Sequence, residues 1–319
     1  MNLRCAILDD YQNVAMSMAD WSTISDKVEV NTFTQHFDNE DDLVNHIKDY
    51  EILVIMRERT AFPAEVLERL PKLKLLITTG TRNSSIDLNA ASALEVIVCG
   101  TASNSEPPVE LTWALILGLA RNIVPEHQAI RNNGPWQSSV GRDLYGKKLG
   151  LLGLGKIGSR VARVGQAFGM DVLAWSQNLS KFQADELGVR LASSKEELLE
   201  TSDFVSIHLV LSDRTRGLIG KEELKRMKPS AYLINTSRAA IVDRMALSEA
   251  LRNNWIAGAG LDVFEYEPLP HNDELRELPN VLTTPHLGYV TQRNYSTFYQ
   301  HALEDIKAFL SGEPIRRLK

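Results

Sequence analysis

The chain has little cysteine and no excess of positive charge. Its 319 residues include two cysteines, Cys5 and Cys99, which lack the spacing of a metal site and lie in apolar, strand-like stretches. We therefore expect buried free thiols, as in a reducing compartment, and no bound metal. The formal net charge of -6 gives no broad basic surface, which argues against nucleic acid or anionic lipid as a partner.

The sequence also has no apolar run that approaches the roughly 20 residues of a membrane-spanning helix. Its first residues lead directly into an apolar, strand-like stretch instead of a signal peptide. We therefore expect a cytoplasmic protein that neither crosses nor binds a membrane. A chain of 319 residues is long enough for two domains of ordinary size.

A glycine motif, Gly-Leu-Gly-Lys-Ile-Gly, occupies positions 153–158, in the middle of the chain. It follows an apolar run at 149–152 and leads into a helical pattern at 157–168. In such a unit, backbone N–H groups and the N-terminus of a helix face the pyrophosphate of a dinucleotide. The alternative is a tight strand-to-helix turn without a ligand. The residues predicted to contact a dinucleotide here are Gly153, Gly155, Lys156, Ile157 and Gly158.

The position of the glycine motif divides the chain. A nucleotide half that begins near residue 148 leaves roughly 150 residues before it, enough for a separate substrate-side domain. In that part, short apolar runs alternate with amphipathic patterns, which is typical of a parallel sheet with helices on both faces. A long helix is predicted from Val109 to about Ile130, after a capping residue and two prolines. The predicted strands of this part are 4–8, 28–33, 52–55, 75–78 and 96–98.

Three later segments each place a polar residue just beyond an apolar strand. They are Leu-Ile-Asn-Thr-Ser-Arg at 233–238, Gly-Leu-Asp-Val-Phe-Glu-Tyr-Glu-Pro at 260–268, and Thr-Thr-Pro-His-Leu-Gly at 283–288. The carboxyl ends of the strands form the ligand crevice of a doubly wound sheet, so an arginine, a glutamate and a histidine can converge there. Taken singly, His286 is more commonly a loop residue, and Arg238 could form a structural ion pair with Asp262.

With these motifs in this order, the chain resembles the D-isomer-specific 2-hydroxyacid dehydrogenases, a family that includes phosphoglycerate dehydrogenase, glyoxylate/hydroxypyruvate reductase and D-lactate dehydrogenase. The resemblance covers nearly the whole length. It implies an α/β fold of two Rossmann-like doubly wound domains: a flavodoxin-like substrate domain at 1–103 and 291–319, and an NAD(P)-binding Rossmann domain at 104–290. It also implies a homodimer formed through the long helix from about Val109, and a short form without an appended regulatory domain.

The catalytic set implied by the resemblance is Arg238, Glu267 and His286, and its chemistry suits the reaction. Hydride that arrives at C2 of a 2-keto acid builds negative charge on the carbonyl oxygen, so a proton donor is needed there. We expect His286 to be the acid and base, with Glu267 beside it fixing the ring. Arg238 should bind the substrate carboxylate and polarise the carbonyl. The expected reaction is hydride transfer between NAD(P)H and a 2-keto acid to give the D-2-hydroxy acid, or its reverse.

The cofactor side departs from the family pattern at one position. After the predicted strand 171–175, NAD-preferring members carry an aspartate for the ribose 2′-OH, whereas this chain has Ser176. No arginine that would favour NADP follows, and the nearest cation is Lys181. NAD is therefore slightly favoured, use of both cofactors stays open, and the alternative is that Ser176 only caps its loop. Further residues that the resemblance places along the cofactor are His208, Thr236, Ser237, Asp262 and Gly288.

The substrate side departs at the loop after the fourth strand. Many members have Gly-x-Gly-x-Asp-Asn-Ile-Asp there, whose N–H groups bind the substrate carboxylate, whereas this loop begins Gly80, Thr81, Arg82. Arg82 replaces the second glycine and could bind a distal carboxylate or phosphate, which would favour a dianionic substrate, or it could form an ion pair. The possible ion-pair partners of Arg82 are Glu58 and Glu106. Two further arginines, Arg57 and Arg59, are weaker candidates for the same substrate pocket.

Two other functions are open to a chain with these motifs. A few relatives keep the fold and the nucleotide site but act as NADH-sensing corepressors, whose purpose is binding partners. The chain has no disordered tail or basic segment that favours this function. A formate dehydrogenase of the same superfamily is disfavoured, because such enzymes use a Gln beside the His where this chain has Glu267.

Overall fold

The computed structural model describes residues 2–318, which divide into two compact units. One unit comprises Met1–Asn104 with Thr291–Lys319, and the other comprises Ser105–Val290. Met1 and Lys319, which the predicted domain bounds include, lie outside the described residues. Each unit is built on its own parallel β-sheet.

The first part of the chain, up to residue 104, alternates strands with short helices. Its strands are β1 (Leu3–Ile7), β2 (Val28–Thr32), β3 (Ile52–Ile55), β4 (Leu75–Thr78) and β5 (Ile97–Gly100). Its α-helices are α1 (Ala15–Met18), α2 (Glu40–Ile47), α3 (Ala64–Leu67) and α4 (Leu88–Ala93), with a 3-10 helix at Trp21–Ile24.

The second unit begins with two helices and continues with a larger sheet. The first helices are α5 (Glu106–Ala120) and α6 (Ile123–Arg131). The strands are β6 (Lys148–Leu152), β7 (Asp171–Trp175), β8 (Arg190–Leu191), β9 (Phe204–Ile207), β10 (Tyr232–Asn235), β11 (Gly258–Leu261) and β12 (Val281–Thr283). The later helices are α7 (Gly158–Ala167), α8 (Lys181–Asp185), α9 (Lys195–Thr201), α10 (Lys221–Arg226) and α11 (Arg244–Arg252), with 3-10 helices at Ala239–Ile241 and Glu274–Arg276. The last helix, α12 (Gln292–Leu310), belongs to the first unit.

Both sheets have the strand orders of doubly wound folds. The first is ordered β2-β1-β3-β4-β5, as in flavodoxin, and the second is ordered β12-β11-β10-β9-β6-β7-β8, the Rossmann order with one added edge strand. The strands pair in parallel throughout both. Ligands bind to such sheets beyond the carboxyl ends of the strands, near the point where the order reverses. The predicted fold class is confirmed, and the reversal points lie between β1 and β3 and between β6 and β9.

The central strands read as continuous apolar runs because both of their faces are covered. Every residue of β3, β4, β9 and β11 is buried. Helices on both faces of a parallel sheet remove the alternation of a half-exposed strand. For this reason the predicted strands 52–55 and 75–78 coincide with β3 and β4. The predictions 4–8, 28–33 and 96–98 differ from β1, β2 and β5 only at their ends.

The single long helix predicted from Val109 to about Ile130 is wrong, because two helices occupy this segment. Asn122, between α5 and α6, has a φ of 49°, in the left-handed region. A left-handed residue ends an α-helix, and asparagine tolerates that conformation better than most residues. The apolar residues of α5 lie in the core of the unit, whereas α6 has no buried residue.

Two composition-based expectations concern burial. Cys5 and Cys99 are free and buried, as predicted, and burial raises the pKa of both thiols. Such thiols are poor nucleophiles at neutral pH, because the thiolate is the reactive form. In the part of the chain that the structure describes, no helix is long and apolar enough to span a bilayer.

Candidate active site

The turn between β6 and α7 has glycine where no side chain fits. Gly153 has a φ of +102°, and a Cβ there would lie 2.6 Å from the carbonyl oxygen of His208. A Cβ on Gly158 would collide with the carbonyl oxygen of Gly153. These two glycines therefore serve the close packing of strand, turn and helix.

The middle glycine of the motif has a different environment. A Cβ on Gly155 would meet no protein atom within 4 Å, so packing does not require a glycine there. Open space at a backbone that leads into the N-terminus of α7 is what the close approach of a phosphate needs. Lys156 beside it is exposed, and Ile157 is half-buried at the start of the helix. The turn fits the pyrophosphate of a dinucleotide.

Ser176 follows the last residue of β7, next to the glycine turn. The N–H of Gly153 donates to the carbonyl oxygen of Trp175 at 2.9 Å, which joins the two segments. In dinucleotide sites the residue at this place contacts the ribose hydroxyls. Lys181 forms an exposed ion pair with Asp185 of its own helix at 2.6 Å. A 2′-phosphate would therefore compete with a carboxylate for the nearest cation in sequence.

His208 follows β9 and lies against the glycine turn through its carbonyl oxygen. Its Nε2 is 2.9 Å from Ser206 Oγ. Burial lowers the pKa of His208 to about 4, so the ring is neutral at pH 7. A neutral and hydrogen-bonded imidazole suits the wall of a cofactor site better than a proton donor.

A tight turn at the carboxyl end of β10 presents Arg238. Asn235, the last residue of that strand, accepts the N–H of Ser237 at 3.0 Å and donates to the carbonyl oxygen of Arg238 at 3.0 Å. Ser237 Oγ donates to the carbonyl oxygen of Ile207 at 2.7 Å, which ties the turn to β9. The buried asparagine thus sets the backbone from which the arginine projects.

Glu267 and His286 form a hydrogen-bonded pair beyond the ends of β11 and β12. His286 Nδ1 donates to Glu267 Oε2 at 2.7 Å, and Glu267 Oε1 accepts the N–H of Phe264 at 2.9 Å. The ring of Tyr289 packs edge-on against the imidazole, with centroids 5.4 Å apart. The side chains of the pair are 18% and 19% exposed, so both remain within reach of a ligand. A carboxylate at Nδ1 fixes the tautomer and leaves Nε2 for a substrate.

The loop that carries His286 is fixed by Asp262, which is fully buried. Asp262 Oδ1 accepts from Thr284 Oγ1 and from the N–H of Leu287, both at 2.6 Å, and Oδ2 accepts the N–H of Gly288 at 2.9 Å. These bonds bracket His286, whose φ of 53° lies in the left-handed region. Such a conformation persists where neighbouring contacts impose it, commonly at functional sites.

The structure thus adds a positioning role for Asp262, which the sequence assigned to the cofactor. The cofactor contact stays a prediction. Burial raises the pKa of Asp262, and its hydrogen bonds act in the opposite direction. Sequence reasoning missed Thr284 as its partner. The available signal was that the two residues directly follow β11 and β12, which are neighbours in the sheet.

The second unit brings the predicted cofactor and catalytic residues to the carboxyl edge of one sheet. Thr236, another of the predicted cofactor residues, has its Oγ1 2.9 Å from Thr112 Oγ1 of α5. Arg238 follows β10, and the Glu267–His286 pair lies beyond β11 and β12, the next strands of the sheet. A guanidinium can bind an anion, and an imidazole oriented by a carboxylate can exchange a proton.

The loop predicted to bind the substrate belongs to the first unit. Gly80 has a φ of +107°, and a Cβ there would lie 2.9 Å from Arg57 Nη1. Arg57 itself has a φ of 51°, and its N–H donates to Thr79 Oγ1 at 3.0 Å. Thr81 and Arg82 are exposed. The arginine that packs against the glycine of this loop is therefore Arg57, the weaker candidate from the sequence.

The two carboxylates considered as partners of Arg82 pair with other arginines. Glu106 pairs with Arg160 at the start of α7, and Glu58 Oε2 lies 3.7 Å from Arg57 Nε. Neither of these pairs involves Arg82, and its contact with a ligand stays a prediction.

Sequence reasoning missed a second histidine–carboxylate pair, in the first unit. His36 Nδ1 is 3.0 Å from Asp9 Oδ1, and Asp9 Oδ2 accepts from Thr60 Oγ1 at 2.7 Å. The hydrogen bond to Asp9 raises the pKa of His36. Asp9 follows β1, and Arg57 and Arg59 follow β3, so these groups lie at the reversal point of the first sheet. The two partners are 27 positions apart on different loops, and no local pattern signals their pairing.

Comparisons with known proteins agree with this architecture. The family model for the D-isomer specific 2-hydroxyacid dehydrogenase, NAD binding domain, matches residues 113–288. The glyoxylate reductase of Korarchaeum cryptofilum is 37% identical over 278 residues, 85% of this chain and 83% of that protein. The D-3-phosphoglycerate dehydrogenase of Methanocaldococcus jannaschii is 38% identical over 86% of this chain and 52% of that protein. The crystal structure of phosphoglycerate oxidoreductase from Vibrio cholerae O395 has a TM-score of 0.92 at 39% identity, covering 97% of this chain and 99% of that one.

The chain therefore belongs to the D-isomer specific 2-hydroxyacid dehydrogenase family. It is an NAD(P)-dependent oxidoreductase that transfers hydride between the nicotinamide cofactor and a small 2-hydroxy acid or its 2-keto form, and its second unit contains the family's NAD-binding domain. This class was predicted from the motifs and is confirmed.

Proposed function

We propose that this reaction is carried out by His286, Glu267 and Arg238. They reduce a 2-keto acid to the D-2-hydroxy acid, or catalyse the reverse oxidation. The observation that carries the proposal is the 2.7 Å hydrogen bond between His286 Nδ1 and Glu267 Oε2. It fixes the tautomer and the orientation of the ring, so Nε2 is the nitrogen that exchanges a proton. The first unit then serves as the substrate domain and the second as the nucleotide domain.

The chemistry of the chain's own residues follows from this assignment. A bound nicotinamide supplies the hydride to C2 of the keto acid. His286 Nε2 donates a proton to the carbonyl oxygen as negative charge develops there. Arg238 binds the substrate carboxylate and polarises the carbonyl through its planar set of donors. In the reverse direction His286 accepts the hydroxyl proton, and Glu267 stays paired to the ring.

We place the dinucleotide along the carboxyl edge of the seven-stranded sheet. The space beside Gly155 supports pyrophosphate binding at the turn 153–158. Ser176 lies where the ribose hydroxyls are contacted in such sites. The other residues proposed to contact the cofactor are His208, Thr236, Ser237, Asp262 and Gly288.

Initial rates of NADH and NADPH oxidation with a small panel of keto acids test the function. Two of the panel are suggested by the names of the relatives, glyoxylate and phosphohydroxypyruvate, and the others are pyruvate, hydroxypyruvate, oxaloacetate and 2-ketoglutarate. Turnover of any of these is expected. Tight NADH binding without turnover of any keto acid would contradict the proposal and favour the NADH-sensing binding function.

We propose NAD(H) as the preferred cofactor, with NADP(H) also accepted. Ser176 carries no charge that would repel a 2′-phosphate, and Lys181 is engaged by Asp185. Ser176→Asp should therefore raise the ratio of kcat/KM for NADH to that for NADPH by roughly tenfold or more, because a carboxylate there binds the ribose hydroxyls and repels phosphate. Asn178→Asp, which adds the same charge two positions further on, is the matched control. An unchanged ratio in Ser176→Asp would show that this loop does not select the cofactor.

We also propose that the substrate has a second anionic group, bound by cations at the carboxyl edge of the first sheet. Arg82 is exposed on the loop after β4, Arg57 packs against Gly80 of the same loop, and the hydrogen bond to Asp9 raises the pKa of His36, which favours its cationic form. Guanidinium and imidazolium groups bind carboxylate and phosphate with charged hydrogen bonds.

Arg82→Ala should therefore discriminate between two kinds of keto acid. We expect KM for oxaloacetate and phosphohydroxypyruvate to rise about tenfold or more, the effect of losing one charged hydrogen bond, and KM for glyoxylate to change less than about twofold. Steady-state kinetics on the three substrates measure this. Arg69→Ala, at an exposed arginine paired with Asp41, is the control. Equal losses on all three substrates would make Arg82 a structural residue.

We propose that two copies of the chain associate through α6 and the segment that follows it. The apolar residues of α5 pack in the core of their own unit, so this predicted interface helix offers little apolar surface to a second copy. Several large apolar side chains are exposed on the next segment, which marks an interaction surface. They are Ile123, Val124, Ile130, Trp136, Val140 and Tyr145.

Light scattering should give the mass of two chains in solution. The double variant Ile130→Ser, Trp136→Ser should shift the mass to that of one chain, because it removes the apolar area that drives association. Phe182→Ser, at an exposed aromatic on α8, should leave the dimer intact. A dimer that survives the double variant would exclude this surface.

A further inference from the structure

A cavity of about 470 Å³ opens in the second unit, between the N-terminus of α11 and the segment 263–275. Small-molecule sites have volumes of about 300–1,000 Å³. None of the residues assigned above to catalysis, cofactor or substrate lines it. Its floor is apolar and consists of side chains that are almost fully buried, Leu247, Leu261, Val263 and Leu275.

Most charged groups on the rim of the cavity are engaged. Arg244 Nη2 donates to Asp273 Oδ1 at 2.7 Å, and Asp243 caps the N-terminus of α11. The rim also includes Arg216 and Glu265, which are both exposed. Among residues 2–318, neither of these two forms an ion pair with another side chain. The cavity therefore offers one cation, one anion and an apolar floor.

The geometry points to a binding site for an α-amino acid with an apolar side chain. The guanidinium of Arg216 takes the carboxylate, the carboxylate of Glu265 takes the ammonium group, and the side chain fills the apolar floor. A simple acid would bring its charge next to Glu265 without a partner for that residue. A simple amine would bring its positive charge next to Arg216 without a partner for that guanidinium. A zwitterion brings an opposite charge to each of the two groups.

One wall of the cavity is continuous with the proposed catalytic pair. The segment 264–266 directly precedes Glu267, and the N–H of Phe264 donates to Glu267 Oε1 at 2.9 Å. The other oxygen of that carboxylate accepts from His286. A ligand that restrains this segment alters the support of the histidine, so it should change kcat more than KM. This coupling rests on the proposed function, whereas the binding does not.

Isothermal titration calorimetry with phenylalanine tests the site. The full chain is saturated with NADH and oxamate, an unreactive analogue of a 2-keto acid, so that the active site is occupied. Phenylalanine should bind at least about tenfold more tightly than 3-phenylpropanoate, which lacks the ammonium group, or 2-phenylethylamine, which lacks the carboxylate. Each comparison removes one charged hydrogen bond.

Two variants assign the two charges separately. Arg216→Gln should abolish the preference for phenylalanine over 2-phenylethylamine and keep the preference over 3-phenylpropanoate. Glu265→Gln should have the opposite pattern. Arg214→Gln changes an exposed arginine that does not line the cavity, and it should bind all three probes like the unmodified chain.

Equal affinity for the three probes, loss of binding in the presence of oxamate, or unmodified selectivity in both variants would overturn the site. Phenylalanine that binds but leaves kcat and KM unchanged would overturn the coupling to catalysis. A chain that turns over no keto acid would contradict the proposed function alone, because the calorimetric result does not depend on turnover.

Discussion

His286→Gln should lower kcat by roughly 10²- to 10⁴-fold, the range for loss of a general acid–base group. Glutamine can still donate a hydrogen bond to the carboxylate of Glu267, but an amide cannot release a proton to the substrate oxygen. KM for the keto acid and Kd for NADH should change little, because Arg238 and the turn 153–158 are intact. The effect is confined to the proton-transfer step.

Steady-state kinetics and a fluorescence titration with NADH measure these quantities. His271→Gln, at an exposed histidine of the same unit, is the control for loss of a histidine and should keep full turnover. Turnover of His286→Gln at the rate of the unmodified chain would refute the role of this residue. A parallel loss of NADH binding would indicate instead that the 284–288 loop had rearranged.

Arg238→Ala should lower kcat/KM by about 10²- to 10⁴-fold. The guanidinium binds the substrate carboxylate through two charged hydrogen bonds. The substitution removes both, and each contributes about 1.5–3 kcal/mol. In contrast to the histidine variant, this change should raise KM as well as lower kcat, because the arginine binds the substrate before and during reaction. Arg238→Lys keeps the charge without the planar set of donors, so it should recover only part of the loss.

The split between KM and kcat is the decisive measurement for Arg238. Guanidinium ion added to Arg238→Ala should restore part of the activity, and it should restore none to His286→Gln. Arg252→Ala, at the C-terminal end of α11, is the control for removal of an arginine from the same unit. An unchanged KM in Arg238→Ala would show that the guanidinium does not bind the substrate.

Local patterns in the sequence were sufficient where the role of a residue depends on its own segment. The strands β3 and β4 could be predicted to the residue, since a parallel strand with two covered faces is a continuous apolar run. The glycine motif at 153–158 predicted a strand-to-helix turn whose glycines the fold requires at Gly153 and Gly158, because φ angles and backbone clashes are properties of a few consecutive residues. Arg238, Glu267 and His286 could be proposed as catalytic residues for the same reason, since each lies within a short motif after a strand.

The break at Asn122 lies at the limit of such reasoning. Apolar residues continue from α5 into α6, so their spacing alone predicts one helix. An asparagine can continue a helix or adopt the left-handed conformation that ends one, and the choice depends on how the core accepts α5. The same break moves the exposed apolar side chains onto α6 and changes the surface proposed for the dimer.

Contacts between distant parts of the chain decided the remaining features. Asp262 fixes the 284–288 loop because β11 and β12 became neighbours, and His36 meets Asp9 because β1 and β2 did. Arg57, rather than Arg82, lies against Gly80 since β3 pairs with β4. The order of strands in a sheet and the direction of each side chain at its edge follow from packing of the whole unit. Residue types and spacings therefore identified the family and its reaction class, and the folded sheets determined which side chains lie beside the proposed catalytic groups.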